Sequence, residues 1–201
     1  MTRFFRPPEV ILLEKNYDCS VDIWSFGCIA SEIVTCSEEY QRNGFNRNRR
    51  TLFKGKHCYP LSPNRNSKIP EDKGDQLKTI LGLMGRVNEQ DMSFITSKDS
   101  ILYLKSLMKE NVPKDKIDFK CEMEFSDSRL CRVLSHSLEF NPYFRYPAKS
   151  LLKSSYFDDV RDPELEKNPI GKVELPFECH DDHSLSYLTK ILDREIGSIE
   201  F

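Results

Sequence analysis

A cysteine and two histidines lie within five residues of one another near the carboxyl end of the sequence. Cys179, His180 and His183 are residue types that bind Zn²⁺, and the two histidines stand three positions apart. A structural zinc site needs four ligands, and the sequence offers no second cysteine and histidine cluster to complete this set. We therefore expect no metal site in this chain.

A basic run lies further upstream, at Arg47, Arg49, Arg50, Lys54 and Lys56. Single-stranded nucleic-acid sites combine such charges with aromatic side chains on which bases stack. No interleaved aromatic series accompanies this run, so a solvated loop is the favoured interpretation and we expect no nucleic-acid partner. The alternative, an RNA or DNA site, predicts binding that weakens steeply as the salt concentration rises.

A carboxylate stands at the start of the most apolar stretch, residues 18–36. Ser20 and Asp22 precede the apolar run, as N-cap residues do, and the positive end of a helix dipole favours a carboxylate. A buried charge without hydrogen-bond donors is costly. Two interpretations stay open: a self-contained cap, or an Asp22 that accepts backbone N–H groups from a loop elsewhere.

The stretch that follows is apolar on almost every side of a helical wheel, through Ile23, Trp24, Phe26, Cys28, Ile29, Ala30, Ile33 and Val34. A helix that is apolar on every side belongs in the middle of a domain. The run is too short and too interrupted by polar residues to cross a membrane. We expect a central buried helix with other helices packed around it.

The rest of the pattern is mainly helical, without strand-like alternation or an internal repeat. Helical spacing of apolar residues predicts helices or turns at 9–13, from Asp75 to near Gly85, from Asn88 to Ile95, at 99–109, from Ser126 to the break at Asn141-Pro142, from Pro147, and from Ser184 to Gly197. Residues 42–74 lack this spacing and are predicted to be a long loop insertion. Residues 161–178 are predicted to form an extended tail.

Composition narrows the class of protein. The chain has 201 residues, 31% of them charged, and a net charge of −2, so we expect one domain without a global attraction to nucleic acid or membrane. The seven cysteines are scattered, without a Cys-x-x-Cys motif, and no apolar segment follows Met1. These features predict reduced thiols and a location in the cytoplasm or the nucleus.

Two motifs near the start of the sequence carry a family resemblance. Residues 2–13, which contain Arg6-Pro7-Pro8-Glu9, resemble the end of the activation segment of eukaryotic protein kinases, where an Ala-Pro-Glu triplet closes it. Residues 22–28 resemble the Asp-x-Trp-Ser-x-Gly-Cys helix that follows in that family. Later segments are similar to the mitogen-activated branch of the family, and the resemblance runs over nearly the whole chain: 52–57, 75–77, 80–82, 138–145 and 156–163.

The resemblance implies a mainly α fold, the helical C-terminal lobe of a kinase without the small β-rich lobe. Residues 1–157 are then a partial kinase domain, and residues 158–201 a C-terminal extension with an acidic tail and a final helix. Phosphoryl transfer needs a Gly-rich loop, a phosphate-binding Lys, His-Arg-Asp and Asp-Phe-Gly. The sequence contains none of these motifs; the nearest match to Asp-Phe-Gly is Asp118-Phe119, which Lys120 follows in place of Gly. We expect no catalytic residue in this chain, which should be inactive alone, and ATP and Mg²⁺ only in a full-length kinase.

In the family, the residues that match Thr2, Arg3 and Arg6 contact the catalytic machinery, the phosphorylated activation loop and the pocket for the residue after the target. That pocket favours proline in the mitogen-activated branch. Two exposed arginines are the plainer interpretation of Arg3 and Arg6. The sequence also departs from the family pattern at Pro7, where Ala is usual, and at Lys54, where Pro is expected.

The resemblance further implies a structural lock. The residue that matches Glu9 pairs in the family with an Arg at the position of Arg145, and the residue that matches Asp22 holds the catalytic-loop backbone. We expect Trp24, on the same predicted helix as Asp22, to be part of this structural lock. If Glu9 and Arg145 pair while buried, removal of one partner leaves an uncompensated charge.

An acidic tail lies where the mitogen-activated branch keeps a docking patch for basic motifs of partner proteins. Its members are Asp158, Asp159, Asp162, Glu164 and Glu166, while Arg161 and Lys167 dilute the negative charge. A docking patch and a solvated acidic surface both stay open, because charge complementarity steers partners without identifying them.

Two functions follow from these expectations. The first is the peptide-reading and scaffold half of a proline-directed Ser/Thr kinase, with protein substrates and docking-motif proteins as partners and no membrane partner. Its catalytic parts would lie on sequence outside this chain. The second is a short, catalytically inactive protein that acts as a binding module or decoy. The coding sequence upstream of Met1 distinguishes them, because in-frame His-Arg-Asp and Asp-Phe-Gly codons there favour the first.

Overall fold

Helices form nearly all the regular structure in the described part of the chain. The computed structural model describes residues 2–36, 51–61, 74–109, 127–162, 164, 166 and 185–197. The α-helices are α1 (Pro8–Ile11), α2 (Ser20–Cys36), α3 (Gln76–Met84), α4 (Lys98–Met108), α5 (Ser128–Ser137), α6 (Ala148–Leu151) and α7 (Leu185–Gly197). Short 3-10 helices lie at Arg3–Phe5, Pro142–Phe144 and Ser155–Phe157. The predicted mainly α fold is confirmed, since the described residues contain no strand beyond an isolated bridge between His57 and Asp75.

The chain divides into two compact units, Met1–Arg161 and Asp162–Phe201. The core lies in the first unit and is built from residues of every α-helix between α1 and α5 together with the 51–61 segment. In the second unit, α7 exposes Tyr187, Leu188 and Leu192. Among the described residues, no helix has the length and apolar character needed to cross a membrane.

Helix α2 buries one face instead of the whole of its circumference. Its buried positions recur at helical spacing and include polar residues: Trp24, Gly27, Cys28, Ser31, Glu32 and Thr35. On the opposite side Phe26, Ile29 and Ile33 are 37%, 48% and 65% exposed. The expectation that α2 is covered on every side is therefore wrong.

The buried polar side chains of α2 explain this difference. The Ser31 hydroxyl donates to the Gly27 carbonyl at 2.8 Å, and the Thr35 hydroxyl donates to the Glu32 carbonyl at 2.7 Å. A hydroxyl that bonds to its own helix is satisfied without solvent. Polar side chains can therefore occupy the buried face while isoleucines lie on the exposed one.

The buried face of α2 lies close to α5. A Cβ atom placed on Gly27 would come within 2.7 Å of Leu138 Cγ, so the helix backbone can approach the end of α5 because residue 27 has no side chain. Asp18, rather than Ser20 or Asp22, bonds to the first turn of α2, since its Oδ1 accepts the Ser20 N–H at 2.8 Å. Hydrogen bonds with Ser20, first with its side chain and then with its backbone N–H, hold the pKa of the Asp18 carboxyl below its usual value.

Helix α3 follows the sequence prediction closely. Asp75 is the N-cap and accepts the Leu77 and Lys78 N–H groups, and the helix ends at Met84 with Gly85 as its C-cap. The predicted apolar face at Leu77, Ile80, Leu81 and Met84 is buried. Helix α4 occupies almost the predicted range, and the N-cap of α5 is Asp127, one residue after the predicted Ser126.

The predicted helix from Asn88 to Ile95 is wrong, because this segment forms turns. Asn88 and Asp91 exchange side-chain to backbone hydrogen bonds, each 2.9 Å long. The Asn141 side-chain amide then donates to the Gln90 carbonyl at 2.8 Å and to the Ser93 hydroxyl at 2.9 Å. A carbonyl taken by a distant side chain favours the turn over a continued helix.

Candidate functional site

A buried ion pair joins the amino-terminal segment to the segment after α5. Arg145 Nη1 donates to Glu9 Oε1 at 2.6 Å, and Arg145 Nη2 donates to Glu9 Oε2 at 2.7 Å. The Arg145 and Glu9 side chains are respectively 0% and 1% exposed. The two parallel bonds form the bidentate arrangement in which a guanidinium best matches a carboxylate. The structure thus brings together the two residues of the expected lock.

Backbone carbonyl groups satisfy the remaining donors of Arg145. The guanidinium donates to Ser20 O at 3.0 Å, to Glu139 O at 2.9 Å and to Phe140 O at 3.4 Å. Every nitrogen of the guanidinium therefore has an acceptor. A buried charge of this kind is tolerated because its hydrogen-bonding capacity is used.

An aromatic layer covers one face of the same guanidinium. The Arg145 Cζ atom lies 5.0 Å from the centroid of Trp24, a cation–π distance. Trp24 stacks in turn on Phe53, with centroids 5.2 Å apart and rings 13° from parallel. Trp24 and Phe53 are both fully buried, so the lock also anchors the 51–61 segment.

Phe53 belongs to residues 42–74, for which the sequence predicts a long loop. The structure describes only residues 51–61 and 74 of this loop, and there the chain packs tightly. Gln76 Oε1 accepts the Gly55 N–H at 2.9 Å, while Gln76 Nε2 donates to the Phe53 carbonyl at 3.1 Å. The two sequence segments 52–57 and 75–77 are thus hydrogen-bonded neighbours.

Asp75 makes a second link between these segments. Its Oδ2 accepts the Tyr59 N–H at 3.0 Å and lies 3.5 Å from His57 Nδ1. Its Oδ1 meanwhile caps α3. One buried carboxylate therefore fixes both the start of α3 and the course of the chain at residues 57–59.

The amino-terminal segment is also tied to α4. Glu14 accepts the Thr96 N–H at 2.9 Å and the Thr96 hydroxyl at 2.8 Å, and the Ser100 hydroxyl donates to the Leu12 carbonyl at 3.0 Å. Together with the Glu9–Arg145 ion pair, these bonds fix the segment 9–14 at its start and at its end. Arg3 and Arg6, just upstream, are therefore connected to a segment whose position is fixed.

Thr2, Arg3 and Arg6 lie on and beside the 3-10 helix Arg3–Phe5. Thr2 is exposed, whereas Arg3 and Arg6 are partly buried. The Arg3 guanidinium lies over the Phe4 ring, 5.2 Å from its centroid, and the Ser25 hydroxyl donates to the Phe5 carbonyl at 3.2 Å. The two arginines therefore lie against the protein surface, close to one another along the chain.

Cys58 lies next to these arginines. Burial raises the pKa of the Cys58 thiol, and a hydrogen bond with Arg6 opposes that shift. The Cys58–Arg6 hydrogen bond shows that the 51–61 segment lies next to Arg6. The geometry therefore places two guanidinium groups, suited to bind a phosphate or a carboxylate, at the junction of the amino-terminal segment and this loop.

Asp22 lies on the first turn of α2. Its carboxylate is exposed and makes no hydrogen bond with any described residue. Together with Asp18, Tyr143 and Arg145 it lines a groove of about 450 Å³. Neither distant N–H groups nor a cap bond engage Asp22 in the described part of the chain.

The acidic residues of the predicted docking patch are exposed wherever they are described. Asp158 and Asp159 belong to the first unit, and Asp162, Glu164 and Glu166 to the second. The Asp162 side chain accepts the Glu164 N–H at 2.9 Å. The described residues contain no group of His, Cys, Asp and Glu that could hold a metal ion, while the Cys179–His183 cluster lies outside them.

Phe53, Asp75 and Gln76 are parts of the site that the sequence does not predict. Each contacts residues that are distant in sequence, such as Gln76 and Phe53, which are 23 positions apart. The recurrence of both segments in the mitogen-activated branch was the signal that could have linked them. Asp18 and Glu14 gave no such signal, because a single carboxylate before or after a helix is common.

Comparison with known proteins supports this architecture. A family model for the protein kinase domain matches residues 1–157. The chain is 29% identical over 198 residues to a mitogen-activated protein kinase of Fusarium vanettenii, covering 97% of this chain and 47% of that protein. It is 30% identical over 176 residues to the mitogen-activated protein kinase HOG1A of Wallemia ichthyophaga, covering 88% of this chain and 40% of that protein.

The chain thus spans about half the length of the curated relatives it matches. The family model covers the whole of the region that contains the arginines, the ion pair and α1 to α6. On this match and on the similarity to mitogen-activated protein kinases, the chain belongs to the protein kinase family.

Proposed function

We propose that this chain is the peptide-reading and scaffold half of a Ser/Thr protein kinase that acts on residues followed by proline. ATP, Mg²⁺ and the phosphate-transferring residues then belong to the full-length enzyme. The observation that carries the proposal is the buried Glu9–Arg145 pair, because it fixes the segment that bears Thr2, Arg3 and Arg6 to α2. Similarity to mitogen-activated protein kinases supports the same role.

The exposed side of α2 supports a larger enzyme. Phe26, Ile29 and Ile33 expose apolar surface on one side of the helix, and the Asp22 carboxylate at its start is exposed as well. An apolar patch with a polar group at its edge is the usual form of a surface that another segment covers. We assign that cover to the segment that contains the catalytic loop.

A chimeric kinase tests the proposal. This chain replaces the matching segment of the Fusarium vanettenii relative, and phosphorylation of a Ser-Pro peptide is compared with that of a Ser-Ala peptide. We expect the chimera to favour Ser-Pro by about tenfold or more in kcat/KM, about 1.4 kcal/mol, and Arg6→Gln to reduce this preference. Arg86→Gln, which removes an exposed positive charge elsewhere, is the control and should leave the preference unchanged. A folded chimera that phosphorylates both peptides equally would contradict the proposal.

Protein partners with basic motifs are proposed to dock on the acidic residues. Asp158 and Asp159 are exposed on the first unit, which suits them to steer a positively charged partner. Replacing both with Asn should slow association with a Lys/Arg-rich peptide, and the effect should shrink at high salt. Equal association rates for the variant and the original chain at low salt would reject a docking role.

A docking function without catalysis is the second candidate. The same exposed carboxylates would allow the chain to capture partners as a decoy. Addition of the isolated chain to an active mitogen-activated kinase distinguishes this role, because a decoy lowers phosphorylation of docking-dependent substrates and spares substrates that lack the motif.

A further inference from the structure

A groove of about 670 Å³ lies between α5, α6 and the 3-10 helix Ser155–Phe157. It is remote in sequence from the amino-terminal arginines, and the proposed kinase function does not use it. We propose that this groove binds a short peptide segment that carries a phosphorylated serine or threonine.

The groove has an apolar floor and a polar rim. Val133 and Leu151, which line it, are 1% and 6% exposed. One wall is a single face of α5, where Arg129, Arg132, Val133 and His136 recur at helical spacing. The opposite wall comes from α6 and the residues after it, including Lys153.

Both ends of the groove are fixed by contacts between the walls. At one end, Arg129 Nη1 donates to the Ser155 carbonyl at 3.1 Å. At the other end, the His136 and Tyr146 rings stack with centroids 3.9 Å apart and 5° from parallel, and the Tyr146 N–H donates to the His136 carbonyl at 3.0 Å. These contacts preform the groove, which lowers the ordering cost of binding.

Among the residues that the structure describes, only one of the three cations that line the groove has an ion-pair partner. Arg129 is engaged by Asp127, through bonds from Nε and Nη2 of 2.6 to 3.1 Å. Arg132 and Lys153 form no ion pair with any residue in the described ranges. The positive charge without an ion-pair partner therefore comes from both walls of the groove, Arg132 on α5 and Lys153 after α6.

A phosphate monoester matches this arrangement better than a carboxylate does. It carries about −1.5 to −2 charges at pH 7 and three acceptor oxygens, against one charge and two oxygens for Asp or Glu. Arg132 offers a planar fork of donors and Lys153 a point charge, both of which bind phosphate. The hydroxyl groups of Ser150 and Ser154, which also line the groove, add neutral donors.

The dimensions and flanking charges favour a peptide over a polyanion. The eight positions from Arg129 to His136 span about 10 Å along a helix, enough for roughly three residues of an extended peptide. Asp127, Asp158 and Asp159 lie around Arg129, so negative charge borders one end of the groove. That charge repels a second phosphate, as a nucleic acid or an anionic membrane would present.

Nuclear magnetic resonance titration of the ¹⁵N-labelled full chain tests the proposal. The probe is the pentapeptide Ala-Ala-phosphoserine-Ala-Ala, blocked at both ends, alongside its unphosphorylated and aspartate-substituted forms and inorganic phosphate. We expect the phosphopeptide to shift the amide signals of Arg132, His136 and Lys153, with affinity at least about tenfold above that of the aspartate form. The Arg132→Gln, Lys153→Gln double variant should weaken binding by about tenfold or more.

The matched control is the Arg86→Gln, Lys149→Gln double variant, which removes the same charge from exposed positions outside the groove. Equal loss of binding in both double variants means non-specific attraction and overturns the proposal. Tighter binding of inorganic phosphate than of the phosphopeptide also overturns the proposal. Tighter binding of a single-stranded oligonucleotide or of vesicles with anionic lipid than of the phosphopeptide does the same. A retained spectrum of dispersed signals in each variant shows that the variant is folded, so that a loss of binding is not caused by unfolding.

Discussion

Gln76 and Gly55 lie so close together that a side chain at position 55 would overlap Gln76. A Cβ atom built on Gly55 would fall 2.4 Å from Gln76 Oε1 and 2.7 Å from Gln76 Cα. The same Gln76 Oε1 accepts the Gly55 N–H. The close approach therefore depends on glycine and holds the 51–61 segment against the start of α3.

Gly55→Ala should accordingly destabilise the chain. The Gln76 Oε1 atom could rotate away, but Gln76 Cα, 2.7 Å from the added Cβ, belongs to the backbone and cannot. We therefore expect a loss of about 1–3 kcal/mol of unfolding free energy. Gly82→Ala is the matched control, since a Cβ there meets nothing within 4 Å and alanine suits a helix interior better by about 0.5–1 kcal/mol. Urea denaturation measures both, and equal shifts in the two variants would refute the packing argument.

Loss of the Glu9 carboxylate should unfold the chain more readily than loss of an exposed one. Glu9→Gln leaves the buried Arg145 charge uncompensated, which costs about 3–5 kcal/mol. Glu89→Gln, at an exposed position, should change stability by less than about 0.5 kcal/mol. Thermal unfolding followed by circular dichroism compares them, and a Glu9→Gln midpoint equal to that of the control argues against the lock.

Thiol labelling should separate the cysteines by burial. Cys19 and Cys36 are exposed, whereas Cys28 and Cys58 are buried, and burial raises the pKa of Cys28 to about 12. The thiolate is the reactive form, so at pH 8 roughly one Cys28 in ten thousand is ionised. We expect iodoacetamide to modify Cys19 and Cys36 in the native chain and Cys28 only after denaturation, as read by peptide mass spectrometry. Rapid modification of native Cys28 at pH 8 would show that α2 is not packed as described.

The exposed apolar side of α2 should control self-association of the chain. Ile33→Lys removes apolar surface at a position that is 65% exposed, so we expect weaker binding of the dye ANS, less aggregation, and a change in stability within about 0.5 kcal/mol. Val160→Lys is the control, because Val160 is 78% exposed at a different place. Light scattering compares the two, and equal improvement in both variants would exclude a specific effect of α2.

Local patterns predicted some elements well because the deciding interactions are local. Asp75 caps α3 through N–H groups two and three residues ahead, and the apolar face of that helix repeats at fixed spacing. The Asn88 segment failed for the opposite reason, since Asn141, 51 positions away, bonds to the Gln90 carbonyl. Sequence periodicity carries no information on such partners.

In the candidate site, too, some contacts were predictable and others were not. The pairing of Glu9 with Arg145 was expected from the family resemblance, not from the residues themselves. The stacking of Trp24 on Phe53 could not be foreseen, because the sequence around Phe53 lacks the spacing of any regular element. Likewise, apolar content alone did not show which side of α2 is covered, since satisfied hydroxyls at Ser31 and Thr35 allow polar residues inside.

The ion pair described above also bears on how the chain is made. Glu9 and Arg145 are 136 positions apart, so a ribosome releases the first partner long before it synthesises the second. Contacts of such long range form late and slow the completion of folding. During translation the Glu9 carboxylate therefore stays without its Arg145 partner, and the ion pair can fix the segment that bears Arg3 and Arg6 only after Arg145 has left the exit tunnel.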